Sequence, residues 1–431
     1  MKHGGDLCRI AAVWLSAVLA GACAGPVRAP YTPLEDSLPD LRARLLTHMG
    51  QSLLPFWLEH CVDREHGGYL TNLDRDGSML SGEKMLVTQS RLVWVFSRLW
   101  QDGYRDMRIG EAARSGFQFL REHFWDETYE GWYWQVERDG TPQDVSKNTY
   151  GHAFVIYAAV EYYRAFEDPE ALRVAQATFD ALERHAKDPK NPGYGDFMDR
   201  QWAPAPVNGQ IKTMNTHLHL LEAFTELYLV TGDPLHKKRL GEVLDVLVQK
   251  CYMPEHKCCI DGYYYDWSPA RDGSFGERNK ITSYGHNVEF AWLMQRAVQA
   301  LGLPKEPYRR IGLDLVDHAM QYGWDAAAGA MCYEGPWTGP ATNRDVEWWV
   351  QAENAVALDW AYRTTGRSRY LADLRRQIIW ILEKQSDPVY GGWYSTLAAD
   401  GSVRNASKAN IWHACYHDVR ACLNVGLGRW E

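Results

Sequence analysis

Apolar residues recur at helical spacing, in paired blocks, along almost the whole of this chain. The pairs are 89–100 with 109–122, 150–166 with 172–187, 214–231 with 235–250, 286–301 with 308–321, and 350–365 with 370–384. The block at 410–426 has no following partner, and the block at about 40–61 is free to serve as one. Between the pairs a glycine–aromatic turn recurs six times, at Gly67-Gly68-Tyr69, Gly131-Trp132-Tyr133, Gly193-Tyr194, Gly262-Tyr263-Tyr264, Gly329-Ala330-Met331 and Gly391-Gly392-Trp393-Tyr394. Successive turns are 63, 62, 69, 67 and 63 residues apart. Three of them continue as short alternating runs closed by Asp76-Gly77, Asp139-Gly140 and Asp400-Gly401, a hairpin signal.

Six helical pairs without β–α–β alternation predict one all-α domain, from about residue 40 to the end, closed into a toroid of inner and outer helices. An open superhelix of the tetratricopeptide kind fits less well, because its repeats are much shorter and lack strand-like insertions. Near the start of each inner helix, 19 to 26 residues after the repeat's glycine, stands one polar or aromatic residue: Arg91, Tyr150, His219, His286, Glu353 and His417. Six such groups at similar heights converge on one concave site.

Each has neighbours on its own face. His286, Glu289 and Trp292 follow at i, i+3 and i+6, so a carboxylate can hold an imidazole near a helix start. Asn215, His219 and Glu222 share a face, as do Trp349 and Glu353, while Trp412, His413 and His417 crowd the last inner helix. His217 points elsewhere and reads as structural. Taken one at a time, such a histidine is as well explained as a buried ring satisfied by its glutamate; recurrence at one phase is what favours a site. Arg91 is an inward cation, costly unless it meets an anion or a developing oxyanion. His217-x-His219 invites a metal reading, but no carboxylate follows at ligand spacing.

Composition narrows the partners. The chain is 13% aromatic, with 19 Trp and 24 Tyr, and aromatic faces pack against sugar rings. A net charge of −9 without a basic stripe argues against nucleic acid. At the N-terminus Lys2 and Arg9 precede an apolar run from Ile10 to Leu19 and an Ala20-x-Ala22 site, which predicts a signal peptide over 1–22 and export to the periplasm. Cys23 also resembles a lipoprotein cleavage site, although Ala20 stands where Leu is usual; 23–39 then reads as a linker or lipoprotein tether, with lipidation at Cys23 open. No later stretch is expected to span a membrane. Seven cysteines lie beyond Cys8 and Cys23; Cys251 with Cys258 or Cys259 could pair, and free buried thiols are slightly preferred.

The segments QSRLVWVFS (89–97), YGHAF (150–154), MNTHLHLLEAFTELY (214–228), SYGHNVEFAWL (283–293), WWVQAEN (348–354) and WHACYHDVRACL (412–423) together resemble the N-acylglucosamine 2-epimerase and cellobiose 2-epimerase family. The resemblance covers essentially the mature chain, and it implies an (α/α)6 barrel. It implies that the ring of a reducing sugar opens, that a base removes the proton on C2, and that the cis-enediolate is reprotonated on its other face. By the resemblance His286 and His417 exchange those protons, Glu289 orients His286, His219 assists ring opening or polarises the carbonyl, and Arg91 stabilises the enediolate oxygens. Tyr150, Asn215, Trp292, Trp349, Glu353 and Trp412 match sugar-contacting positions. No metal or redox cofactor is called for.

The expected partner is a small reducing sugar, monosaccharide or disaccharide, with the motif forms closer to cellobiose 2-epimerases and related mannose-handling enzymes than to the N-acetylglucosamine branch; the protein itself is expected as monomer or dimer. Two features depart from the family: the leader, and His152 where Gln is common in the disaccharide enzymes, which leaves the specificity of that wall open. Rival readings are an aldose–ketose isomerase acting on mannose or a related sugar, a glycoside or unsaturated-uronide hydrolase using Glu289 and Glu353, and an exported sugar-binding protein.

Overall fold

The computed structural model describes residues 36–205 and 211–429, so the expected leader and residues 23–35 of the tether lie outside the described residues. Inner helices one to six are Leu86–Gln101, Thr149–Phe166, Met214–Thr231, Tyr284–Leu301, Trp348–Thr365 and Tyr416–Gly426. Their outer partners are Met107–His123, Pro169–Ala181, Pro234–Val246, Tyr308–Tyr322, Ser368–Trp380 and, for the sixth, Leu38–His48 continued by Leu54–His60. Inner helices carry apolar side chains on nearly every face and are buried all round, whereas an outer helix such as Met107–His123 turns one stripe inward. Each inner helix packs on the next and the sixth packs on the first, which closes the toroid expected from the repeats. No helix among the described residues is long and apolar enough to cross a membrane.

Local chemistry sets the helix ends. The side chains of Asn148, Thr213 and Ser283 accept backbone N–H groups of the following turn and so start inner helices two to four. Gly232, Gly302 and Gly366 end helices three to five in the left-handed region, at φ of 64°, 69° and 68°. The domain opens at Leu38, two residues before the expected boundary, because Ser37 and Asp40 form a reciprocal capping box.

After each outer helix the chain bridges back on itself, pairing Val62 with Tyr69, Trp125 with Trp132, Lys187 with Tyr194, Tyr252 with Cys259, Trp324 with Met331 and Ser386 with Trp393. The fourth repeat departs from the sequence expectation. Its turn is Lys257-Cys258-Cys259, with Lys257 at φ 60° where a glycine is usual, while Gly262–Tyr264 is a strand paired with Ile211–Thr213. In five repeats a polar residue of the inner helix accepts the N–H of the bridged residue: Gln89 from Tyr69, His152 from Trp132, His217 from Tyr194, Asn287 from Cys259 and Gln351 from Met331, at 2.9 to 3.1 Å. His217 is thus structural, as expected. His152 is structural too, fully buried and doing in its repeat what Gln89 and Gln351 do in theirs, so it forms no part of a substrate-contacting wall.

Buried aspartate–lysine pairs lock the same turns: Asp63 with Lys84, Asp126 with Lys147, Asp188 with Lys212 and Asp387 with Lys408, at 2.7 to 3.1 Å. An arginine from the next repeat's hairpin completes three of them, Arg138 on Asp63, Arg200 on Asp126 and Arg75 on Asp387. The last joins the first repeat to the sixth. Burial by itself would raise these three aspartates, but the arginine and lysine partners hold them well below the usual carboxylate range. The seven described cysteines are free and buried.

The sixth inner helix is shorter than its apolar period. It begins at Tyr416, because the Asn410 side chain accepts the N–H groups of Trp412 and His413 at 2.8 and 2.9 Å and diverts the chain. Trp412 and His413 therefore lie in the loop before the helix. His413 is fully buried, with Nδ1 2.7 Å from Ser395 Oγ and its ring stacked 4.1 Å from Trp348.

Candidate active site

The residues that open the inner helices gather at one end of the ring. On the fourth, fifth and sixth helices His286, Trp349 and His417 form one wall, with the Trp349 ring 4.7 Å from His286 and 5.8 Å from His417. Two imidazoles from different helices therefore flank one indole. His286 and Trp349 are half-buried, and His417 is buried.

His417 Nδ1–H donates to Glu353 Oε1 at 2.6 Å, and His219 Nδ1–H donates to Glu222 Oε2 at 3.0 Å. Burial alone would raise both carboxyls, yet the Arg420 guanidinium and the imidazoles lower them, Glu353 to about 2. An ionised carboxylate only accepts, so the proton of each neutral ring sits on Nδ1 and Nε2 is left bare as a base. Burial lowers the pKa of His219, His286 and His417, that of His286 to about 4, so all three are neutral near pH 7.

Glu289 does not do what its spacing implied. Among the described residues it forms no hydrogen bond with His286; its Oε1 accepts from Arg420 Nη2 at 2.6 Å. The i+3 spacing is correct, but a guanidinium from the sixth helix outcompetes the neighbouring imidazole, and among the described residues His286 has no carboxylate partner. Burial and the nearby Glu353 charge raise Glu289 well above the usual range, so it is a neutral acid. Trp292 and Glu353 also sit behind the reacting surface. Trp292 is 3% exposed and donates from Nε1 to Glu353 Oε2 at 3.0 Å, so both back His417 rather than present a face to a sugar.

On the first inner helix Arg91 donates from Nη1 to Trp412 O at 2.8 Å and from Nη2 to Tyr150 OH at 2.9 Å. It lies 4.4 Å over the Phe154 ring, is 4% exposed, forms no ion pair among the described residues, and its Nε has no partner. A buried cation without an anion is the group a developing oxyanion needs. The Tyr150 ring meets His219 at 5.1 Å, which ties this side to the Glu222 pair. Asn215 is half-buried, and Trp412 is 44% exposed beside Trp134 and Tyr150, at 6.2 and 6.3 Å. Tyr150, Asn215, Trp349 and Trp412 each keep part of the side chain open to solvent.

Arg420 was not singled out from the sequence, although a charge inside Val419-Arg420-Ala421-Cys422-Leu423 is the signal that could have found it. Glu289, Glu353 and His417 are the one group among the described residues whose donor atoms, all within 4.8 Å of one another, could hold a metal ion. The Arg420 guanidinium already lies on both carboxyls, so the cluster is an ion-pair hub with its own cation.

A family model described as N-acylglucosamine 2-epimerase (GlcNAc 2-epimerase) matches residues 68–421. A cellobiose 2-epimerase of Bacteroides fragilis is 30% identical over 400 residues, covering 89% of this chain and 98% of that protein. The solved structure of cellobiose 2-epimerase from Bacillus thermoamylovorans superposes with a TM-score of 0.82 at 28% identity, covering 90% of this chain and 99% of the other. A D-mannose isomerase structure shares the fold, with a TM-score of 0.80 at 22% identity, over 92% of this chain and 99% of that one.

Proposed function

The chain belongs to the N-acylglucosamine 2-epimerase family, and from that premise we propose that it interconverts C2 epimers at the reducing end of a free sugar. The observation that carries this reading is the pair of neutral imidazoles flanking Trp349, together with the buried Arg91, which has no counter-ion among the described residues. After ring opening, with His219 acting on the ring or carbonyl oxygen, the bare nitrogen of one imidazole takes the C2 proton. The electron pair moves onto the C1 oxygen, next to Arg91. The other imidazole, neutral at rest, takes up a solvent proton beside the developing enediolate and delivers it to the opposite face of C2, while the first releases the C2 proton to solvent. Positioned general acid–base groups of this kind contribute about 10²–10⁴-fold each. No step draws on a redox cofactor, since the adjacent carbonyl acidifies C2.

The preferred substrate is a β-linked disaccharide such as cellobiose or mannobiose. The exposed Trp412, beside Trp134 at the mouth, offers a second aromatic ledge beyond the reducing sugar. The leader expected from the sequence supports a place outside the cytoplasm, where the enzyme acts on oligosaccharide fragments before uptake; recovery from the cytosol of its host would contradict this. The reaction is tested by proton NMR of the enzyme with cellobiose, mannobiose, glucose and mannose in D2O. Deuterium at C2 with accumulation of the epimer is expected. A ketose product assigns an aldose–ketose isomerase, released monosaccharide assigns a hydrolase, and binding without turnover assigns a sugar-binding protein.

A further inference from the structure

We infer that Arg420 is a positioning residue, a single buried guanidinium that holds Glu222, Glu289 and Glu353 together and through them fixes which nitrogen of His219 and His417 faces the cavity. The consequence for catalysis rests on the epimerase reading; the consequence for the imidazoles does not.

Arg420 is 2% exposed, with its charge packed between the rings of Tyr416 at 4.3 Å and Trp292 at 4.9 Å. Nη2 donates to Glu289 Oε1 at 2.6 Å and to Glu353 Oε1 at 2.7 Å, while Nη1 donates to Glu222 Oε1 and to the Tyr416 hydroxyl. The three carboxyls come from the third, fourth and fifth inner helices and the arginine from the sixth, so one side chain joins four of six inner helices. Two of those carboxyls do a second job. Glu353 Oε1 accepts from both Arg420 and His417, and Glu222 splits its oxygens between Arg420 with Tyr416 and His219.

Three carboxyls this close cannot all ionise against one cation, and one of them, Glu289, is kept neutral with its Oε2 unpartnered among the described residues. The arginine holds the other two as anions, and an anion can only accept. Without it, Glu222 and Glu353 would face each other and Glu289 in a dry site and would take up protons. A protonated carboxyl donates to Nδ1 rather than accepting from it. The imidazole proton then moves to Nε2, and the ring presents a donor where the reaction needs a base. Lysine supplies the charge but not the planar fork that reaches three acceptors at once.

The test uses long-range proton–nitrogen NMR of the histidine rings in the full-length protein without sugar, beside steady-state kinetics. Expected in the wild type is the Nδ1–H form for both His219 and His417. Expected in Arg420→Met and, less completely, in Arg420→Lys is a shift towards Nε2–H, with kcat reduced about 100-fold and KM within about threefold. The groups around His417 are Glu353, Glu289, Tyr416, Arg91 and Arg420. Losing Arg420 favours protonated Glu353, so the acid limb of kcat moves to higher pH. A wild type already in the Nε2–H form overturns the inference without any variant, which covers the case of a variant that does not fold. So does a folded Arg420→Lys with unchanged tautomers and acid limb, or activity lost only in proportion to folded protein by near-ultraviolet circular dichroism. If the wild type shows the expected tautomers but no exchange at C2, the epimerase reading fails and the assignment of Arg420 stands.

Discussion

Glu353→Gln separates the anion behind His417 from the shape of the side chain that carries it. Glu353 is 1% exposed and receives three donors: His417 Nδ1–H at 2.6 Å, Arg420 Nη2–H at 2.7 Å and Trp292 Nε1–H at 3.0 Å. Glutamine keeps one acceptor oxygen. With that oxygen towards His417 and Arg420, the amide NH2 meets the Trp292 N–H, donor against donor; flipped, it meets the guanidinium, which is worse. Removing one partner of a buried ion pair costs about 3–5 kcal/mol. Arg420 retains Glu222 and Glu289, which sets the expectation at the lower end, about 3 kcal/mol, read as a lower urea midpoint. In catalysis, imidazolium formation at His417 loses its counter-ion, and kcat falls about 100-fold, equivalent to ~2.7 kcal/mol in the barrier. KM changes little, because Glu353 has no exposed surface for a sugar to touch. The assay is C2 deuterium exchange with cellobiose, at saturating and limiting sugar, on protein shown to be folded. A kcat within about threefold of wild type, or a loss confined to KM, would refute the claim that Glu353 acts through His417.

Other outcomes follow from the same geometry. His286→Ala and His417→Ala each lower epimerisation by about 10²–10⁴-fold, and the histidine that remains still exchanges the C2 proton of one epimer; equal loss of exchange from both epimers in both variants would count against two separate bases. Because burial lowers His286 to about 4 and a base must be neutral, activity in the direction that uses it holds from pH 7 down to about 4 and falls below; an acid limb near the ordinary histidine value contradicts this. His152→Gln leaves substrate ranking unchanged in a sugar-panel assay, since Gln89 and Gln351 make the same backbone bond in sister repeats. Asp63, Asp126 and Asp387 favour the anion more in the folded than in the unfolded state, so the stability they contribute is complete above about pH 4 and lost progressively below it. Asp387→Asn, which breaks the contact between the first and sixth repeats, flattens that acid loss and lowers the urea midpoint at pH 7.

The fold was legible because repetition multiplies weak signals. One glycine turn means little, whereas six glycine signals at near-constant spacing, each between helical blocks, leave few alternatives to a closed ring. The signal failed where physics allowed a substitute, at Lys257, which takes the left-handed conformation without being glycine. The site was legible as far as one-helix geometry reaches: Asn215, His219 and Glu222 share a face, and His219 does pair with Glu222. Pairings between helices were not. The partner of His417 comes from the fifth helix and that of Glu289 from the sixth, contacts that only closure of the ring creates. Spacing offered Glu289 to His286, and the stronger charge of Arg420, 131 residues away in sequence, took it.

The central claim is that two imidazoles on different helices move the C2 proton of a reducing sugar between its faces. Its most direct test is cellobiose in D2O, followed by proton NMR from either epimer. The account predicts solvent deuterium at C2 as the mannose-configured epimer accumulates, at the same final ratio from both starting sugars. Epimer formed with retention of the original C2 proton, or a ketose in place of the epimer, would contradict it.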